Sequence, residues 1–229
     1  MIAIQLNDSI IIASDNKEVI FKGDELNEPI ERSTSKIYAW DEGIITGTGE
    51  SYVINRCITL FKEFAQSELT SLPDYLELSR QIREHEIGTD HFQVQNTKLL
   101  CSSYSEHGAQ LYKIERVDDE KSYTMAAIEP MDITIWMFNP HVESITLDLK
   151  NLYLDLKDYS CFANKVDWIN YYINRIAPIY KKQSKHDFFM SQSFDIFFQT
   201  KNDYILSHID NTHITALEFS EITANSSST

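Results

Sequence analysis

At the start of the chain Ile2, Ile4 and Leu6 alternate with small or polar neighbours, the period-two pattern of a half-buried strand. Asn7-Asp8 supplies turn chemistry, and residues 9–13, with three successive isoleucines, read as a second, more deeply buried strand. This hairpin ends on Asp15-Asn16-Lys17, where charge replaces apolar pairing. A chain that starts on a core strand is tied down at a terminus that would otherwise fray. Residues 18–32 are polar, carry Gly23 and Pro29, and read as a loop crossing a sheet edge. Residues 35–40 and 43–46 predict another hairpin about Asp41-Glu42-Gly43.

The period then changes. Val53, Ile54, Cys57, Ile58, Leu60, Phe61 and Phe64 recur at helical spacing and predict a helix over 50–67. Ser71-Leu72-Pro73-Asp74 opens a second helix with proline in its first turn. Tyr75, Leu76, Leu78 and Ile82 form its stripe, and Gly88 stops it. Strands are expected over 91–104, 109–116 and 122–128, with turns at 105–108 and 118–120. Alternation at Ile133, Ile135 and Met137, at Ile145, Leu147 and Leu149, and at Leu152, Leu154 and Leu156 predicts a β-rich segment over 131–158, an insertion or an enlarged edge. Residues 162–182 predict a third helix, with Pro178 kinking it or starting its last turn. Segments 193–200 and 204–208 form a closing hairpin about Lys201-Asn202-Asp203. Strands and helices gathered in blocks predict a layered α+β domain over 1–215, followed by a Ser-rich, partly disordered tail at 216–229.

Composition narrows the partners. A length of 229 residues suffices for one full core. The net charge of -15 weighs against nucleic acid and against an anionic membrane surface. No run approaches the ~18–20 apolar residues of a membrane span, and no signal peptide is expected before the first strand. Cys57, Cys101 and Cys161 are widely spaced, as reduced thiols of a cytoplasmic protein are. His85, Glu86 and His91 fit neither H-E-x-x-H nor a structural zinc pattern, so solvated side chains and no metal or cofactor are expected. His107 with Glu106 reads as a solvated turn. Cys101 reads as a core thiol. Trp168, Tyr171, Tyr172 and Tyr180 read as packing on one helix, with outer members available to a subunit contact.

Four pieces recur in a fixed order: the opening hairpin to Asp15, Lys36 in S-K-I-Y-A-W, Gly47-Thr48-Gly49-Glu50 before the first long helix, and G-A-Q-L-Y-K-I at 108–114. Their order and spacing resemble the proteasome and HslV family of N-terminal-nucleophile hydrolases. The resemblance implies a four-layer αββα sandwich, a homo-oligomer or ring, and a peptide or protein ligand. It places Asp15 at the family's Asp, Lys17 at the basic residue two places on, and Lys36 at the catalytic-site Lys. Gly47 and Gly49 fall in the Gly-rich turn on the binding side. Asp187 and Ser191, in H-D-F-F-M-S-Q-S, are counterparts of a later Asp and Ser pair. In the family the Lys activates the nucleophile and the Asp holds the Lys.

Two departures stand beside the match. The chemistry needs Thr, Ser or Cys at position 1, whose side chain attacks a carbonyl while its own α-amine is the base. This chain has Met1-Ile2, and a thioether forms no acyl intermediate. Methionine before a bulky residue is expected to be retained, with no pro-segment ahead of it. Ser9, the nearest hydroxyl, becomes terminal only if the first strand is lost. Ala126-Ala127-Ile128-Glu129-Pro130 stands where the family has a small Gly-Ser loop supporting the amine. Two readings follow. One is a non-catalytic, self-assembling structural or binding subunit that keeps Asp15 and Lys36 as an ion pair. The other is an amide-bond hydrolase with a processed N-terminus or another nucleophile near Lys36. Position 1 favours the first.

Overall fold

The computed structural model describes residues 1–20, 30–65, 68–105, 108–116, 122–201 and 203–212. The tail 216–229 and the turns expected at 106–107, 118–120 and 202 lie outside the described residues, as do the middle of 18–32 and the end of 50–67. Along the chain run β1 (Ile2–Gln5), β2 (Ser9–Asp15), β3 (Lys17–Ile20), β4 (Ile30–Ser33), β5 (Ile37–Trp40) and β6 (Gly43–Thr48). Then come α1 (Ser51–Phe64), α2 (Leu72–Ile87), α3 (Phe92–Gln95), β7 (Lys98–Ser105), β8 (Gly108–Glu115), β9 (Thr124–Ala127) and β10 (Asp132–Ile135). The chain finishes with α4 (Val142–Leu154), α5 (Lys165–Gln183), β11 (Phe194–Thr200) and β12 (Tyr204–Ile209). Two compact units result: Met1–Lys36 with Pro130–Thr229, and Ile37–Glu129.

The first unit carries a five-stranded sheet in the order β10-β1-β2-β11-β12. Each neighbouring pair is antiparallel. Ile2, Ile4, Ile11, Ala13, Phe194, Ile196 and Phe198 face α4 and α5, where Ile145, Leu152, Trp168, Tyr172 and Ile176 complete the core. The alternate positions Ala3, Ile10, Ile12 and Phe197 are buried as well, so both faces of the central strands are covered. β1, read as half-buried, is instead a central strand paired on both sides. Its one polar residue, Gln5, is buried and satisfied locally by donating from Nε2 to Leu6 O at 2.8 Å. β3 and β4 form a separate two-stranded ladder, Lys17 opposite Ser33, where the polar composition of 18–32 had predicted only a loop.

The second unit has its own five-stranded sheet, β5-β6-β7-β8-β9. Val53, Ile54, Cys57 and Phe61 of α1 and Leu72 and Leu76 of α2 pack on Ile45, Leu99, Cys101 and Ile114. Glu50 caps α1, its Oε2 accepting the Val53 N–H at 2.9 Å. α2 stops at Gly88, whose φ of 97° a side chain would resist.

Two further expectations are corrected. Residues 92–95 form a helical turn, so the strand read over 91–104 starts only at Lys98. The larger correction is α4. The alternation over 145–156 predicted strands, and the structure has a helix. Leucines at every second position also satisfy three- and four-residue spacing. Ile145, Leu149 and Leu152 turn inward, while Leu147 is 66% and Leu154 68% exposed. A period-two count cannot separate the two when apolar residues occupy both faces. Only β10 keeps the predicted strand character of that segment. α5 runs through Pro178 to Gln183. Among the described residues no helix is long and apolar enough to cross a membrane.

Candidate active site

All of the polar constellation described here belongs to the first unit. β2 ends on Asp15, which pairs in register with Phe194. Asp15 Oδ2 accepts from Lys36 Nζ at 2.7 Å and from the Lys17 backbone N–H at 3.2 Å. The segment carrying Lys36 is brought there by the β3–β4 ladder and by Thr34 N–H donating to Asn16 O at 2.8 Å. The pair is largely enclosed, with 13% of the Asp15 and 29% of the Lys36 side chain exposed.

Met1 is held at the end of the β1–β10 ladder by a reciprocal bond. Its amino group donates to Trp136 O at 2.9 Å, and Trp136 N–H donates to Met1 O at 3.0 Å. Ile2 stands opposite Ala13, which brings Met1 to the end of β2 that carries Asp15. Burial pushes the amine down from 8.0 to about 6, the Lys36 charge adding to this while Asp15 and Asp187 oppose it. The amine is therefore largely neutral at pH 7 and basic enough to take a proton. The side chain beside it is a buried thioether.

Asn16 is the organising residue that sequence reasoning missed. Its N–H donates to Ser191 Oγ at 3.2 Å, and its Oδ1 accepts from Ser191 Oγ at 2.7 Å and Ser193 Oγ at 2.9 Å. Ser193 O is a second acceptor for Ser191, at 2.7 Å. Asn16 Nδ2 lies 3.4 Å from His208 Nδ1, which pairs with Asp195 at 2.7 Å across the β11–β12 ladder. Asp187 is buried, and its Oδ1 accepts the Phe189 N–H at 3.0 Å. Nothing local announces these contacts, since the serine partners of Asn16 are 175 and 177 positions away.

A cavity of about 240 Å³ opens beside Asn16, between Lys17, Glu31, Arg32, Ser191 and Ser193. It falls below the ~300 Å³ lower end of ordinary small-molecule pockets. Lys17 is held on the cavity wall. It pairs with Glu31 at 2.9 Å and lies 4.2 Å from the centre of the Phe188 ring.

Met1, Asp15, Lys36 and Asp187 thus share one electrostatic neighbourhood, and Lys17 and Ser191 line the adjoining cavity. Gly47 and Gly49 belong to the second unit, where close approach to β7 explains them. A Cβ on Gly47 would meet Leu99 Cδ2 at 2.6 Å, and one on Gly49, at φ 115°, would meet Thr97 Cα at 2.4 Å. Ala126 and Ala127 form the end of β9, paired with Lys113 and Tyr112. Around the histidines, Glu86 is taken by Arg56 at 2.6 Å and His91 Nε2 lies 2.7 Å from Ile87 O. Among the described residues no three His, Cys, Asp or Glu side chains converge to hold a metal ion.

The α+β fold is that of a proteasome-like β-subunit. Anbu from Hyphomicrobium sp. strain MC1, solved as a Gly-1 mutant, superposes with a TM-score of 0.59 at 10% identity, over 91% of this chain and 85% of that one. Anbu from Yersinia bercovieri, described as an ancestral beta-subunit, gives 0.58 at 9% identity, over 92% and 87%. No protein-family model and no curated protein sequence matches the chain.

Proposed function

We propose that the chain is a non-catalytic, self-assembling subunit of the proteasome-like type, a cytoplasmic structural or binding protein whose ligand is a peptide or protein segment. One observation carries the reading: beside the Asp15–Lys36 pair and a buried amine stands Met1, whose side chain has neither hydroxyl nor thiol. In an N-terminal-nucleophile mechanism the lysine and the amine act on the hydroxyl or thiol of residue 1. Without that atom the pair acts as an enclosed ion pair that fixes the strand ends.

The test compares the purified chain with Lys36→Ala in hydrolysis of unstructured protein and short fluorogenic peptides. The reading expects no Lys36-dependent cleavage and a lowered melting temperature in the variant. Cleavage that Lys36→Ala abolishes while assembly persists would contradict it. The hydrolase reading is supported by the amine alone: lowered to about 6, it is the base half of the mechanism already poised. It needs a nucleophile made by processing or supplied near Lys36.

A further inference from the structure

We propose that β12 is a docking edge, on which an extended segment of a partner protein adds through its backbone as a sixth strand of the first sheet. The inference deepens the binding reading above: it gives the peptide or protein ligand a surface, on the sheet edge opposite β10. The ladder fixes which groups are open. Thr200 N–H donates to Asp203 O at 2.8 Å, so these two form a hydrogen-bonded pair at the hairpin end. Alternation along an antiparallel ladder then bonds Ile205, Ser207 and Ile209 to Phe198, Ile196 and Phe194. The N–H and C=O groups of Tyr204, Leu206 and His208 point the other way, and among the described residues no strand pairs with them. Such a row is a template for another strand. The other sheet edges are shorter: β3, β4, β5, β9 and β10 have four residues each, and β12 has six. β12 also has neither the Lys nor the Pro that blunts an edge.

The side chains indicate what the added strand carries. Tyr204 and Leu206, 42% and 46% exposed, stand on one face of the edge, and the Phe197 ring lies 5.7 Å from that of Tyr204. Residues laid directly opposite these two are apolar, since cross-strand pairs share a face. Past the strand end Asp210 is exposed, and His208 Nε2 lies 3.2 Å from it. A Lys or Arg of the added segment is favoured there. The net charge of -15 likewise favours a basic partner segment over a second copy of this chain.

The probe is a fluorophore-labelled peptide, Lys-Val-Thr-Val-Thr-Val-Lys, titrated into the full chain, with amide hydrogen exchange along β12 followed by NMR. The amides of Tyr204, Leu206 and His208 should exchange rapidly in the chain alone and become protected with peptide bound. N-methylation of the valines, whose N–H groups face the edge, should weaken binding roughly tenfold or more, and N-methylation of the threonines should not. Leu206→Pro removes an N–H that β11 does not use, so it should abolish binding while the melting temperature stays near that of the parent. Equal effects of the two methylation patterns, retained binding in Leu206→Pro, or no binding at about 1 mM peptide would overturn the proposal. Protection of the three amides in the chain alone would overturn it too, because the edge would then be covered already. None of these results would touch the reading of Asp15 and Lys36, which falls to Lys36-dependent cleavage instead.

Discussion

Ser191 Oγ lies 2.7 Å from Asn16 Oδ1 and 3.2 Å from the Asn16 backbone nitrogen, so one hydroxyl bridges both polar ends of a residue 175 positions away. That bridge ties the segment leading into β11 to the end of β2, where Asp15 holds Lys36. Ser191→Ala should leave the Asn16 N–H without its acceptor and cost about 1–2 kcal/mol in urea unfolding. A neutral substitution would mean the bridge contributes nothing to holding the two segments together.

The Asp15–Lys36 pair should behave as a coupled unit. Lys36→Met is expected to cost about 1–3 kcal/mol, less than the ~3–5 of a fully buried pair, because both side chains keep some exposure. Asp15→Asn should cost a similar amount. The double variant should lose clearly less than the sum of the two, which a double-mutant cycle of unfolding free energies measures directly. Additive losses would show two independent charges.

Burial of the Met1 amine gives a pH dependence whose sign is fixed. Its folded value of about 6 lies below the unfolded 8.0. Below pH 6 it is protonated in both states, and the folded state carries the full cost of enclosing the charge. Between the two values the unfolded chain binds more protons, so stability rises with pH and levels off above 8. The gain over that window is about 2–3 kcal/mol. The comparison is with chain acetylated at its terminus, which should lose this part of the rise.

Gly88 and Gly49, both at positive φ, should separate strain from clash. Among the described residues no atom lies within 4 Å of a Cβ added at Gly88, at φ 97°, whereas at Gly49 the Cβ would fall 2.4 Å from Thr97 Cα. Gly88→Ala should cost about 1 kcal/mol from backbone strain alone, and Gly49→Ala well above that. Equal losses in thermal unfolding would contradict the close packing of the β6–α1 turn on β7.

The opening hairpin, α1 and the closing hairpin were legible because each has one apolar period and a clear stop. β1 was misjudged in depth, since alternation with Ala3 and Gln5 looks half-buried until a second neighbour, β10, is known. α4 was illegible to alternation because leucines on both sides satisfy either period. Ile145→Ala should therefore cost about 2–4 kcal/mol and Leu147→Ala little in the separated chain, a contrast a strand with both on one face would not show. Asp15 and Lys36 came into view through the spacing of the proteasome-like pieces, and the structure brings them to 2.7 Å. Asn16, Ser193 and Trp136 left no trace in the sequence, because their contacts are long-range bonds from ordinary polar and backbone groups.

The central claim is that residue 1, beside the Asp15–Lys36 pair, is a methionine that brings no hydroxyl or thiol to the site. The denatured mass of the purified, assembled protein tests it most directly. The account predicts an intact chain of 26.6 kDa beginning Met1-Ile2. A shorter chain whose first residue is Ser, Thr or Cys would contradict it and make peptide hydrolysis the leading function.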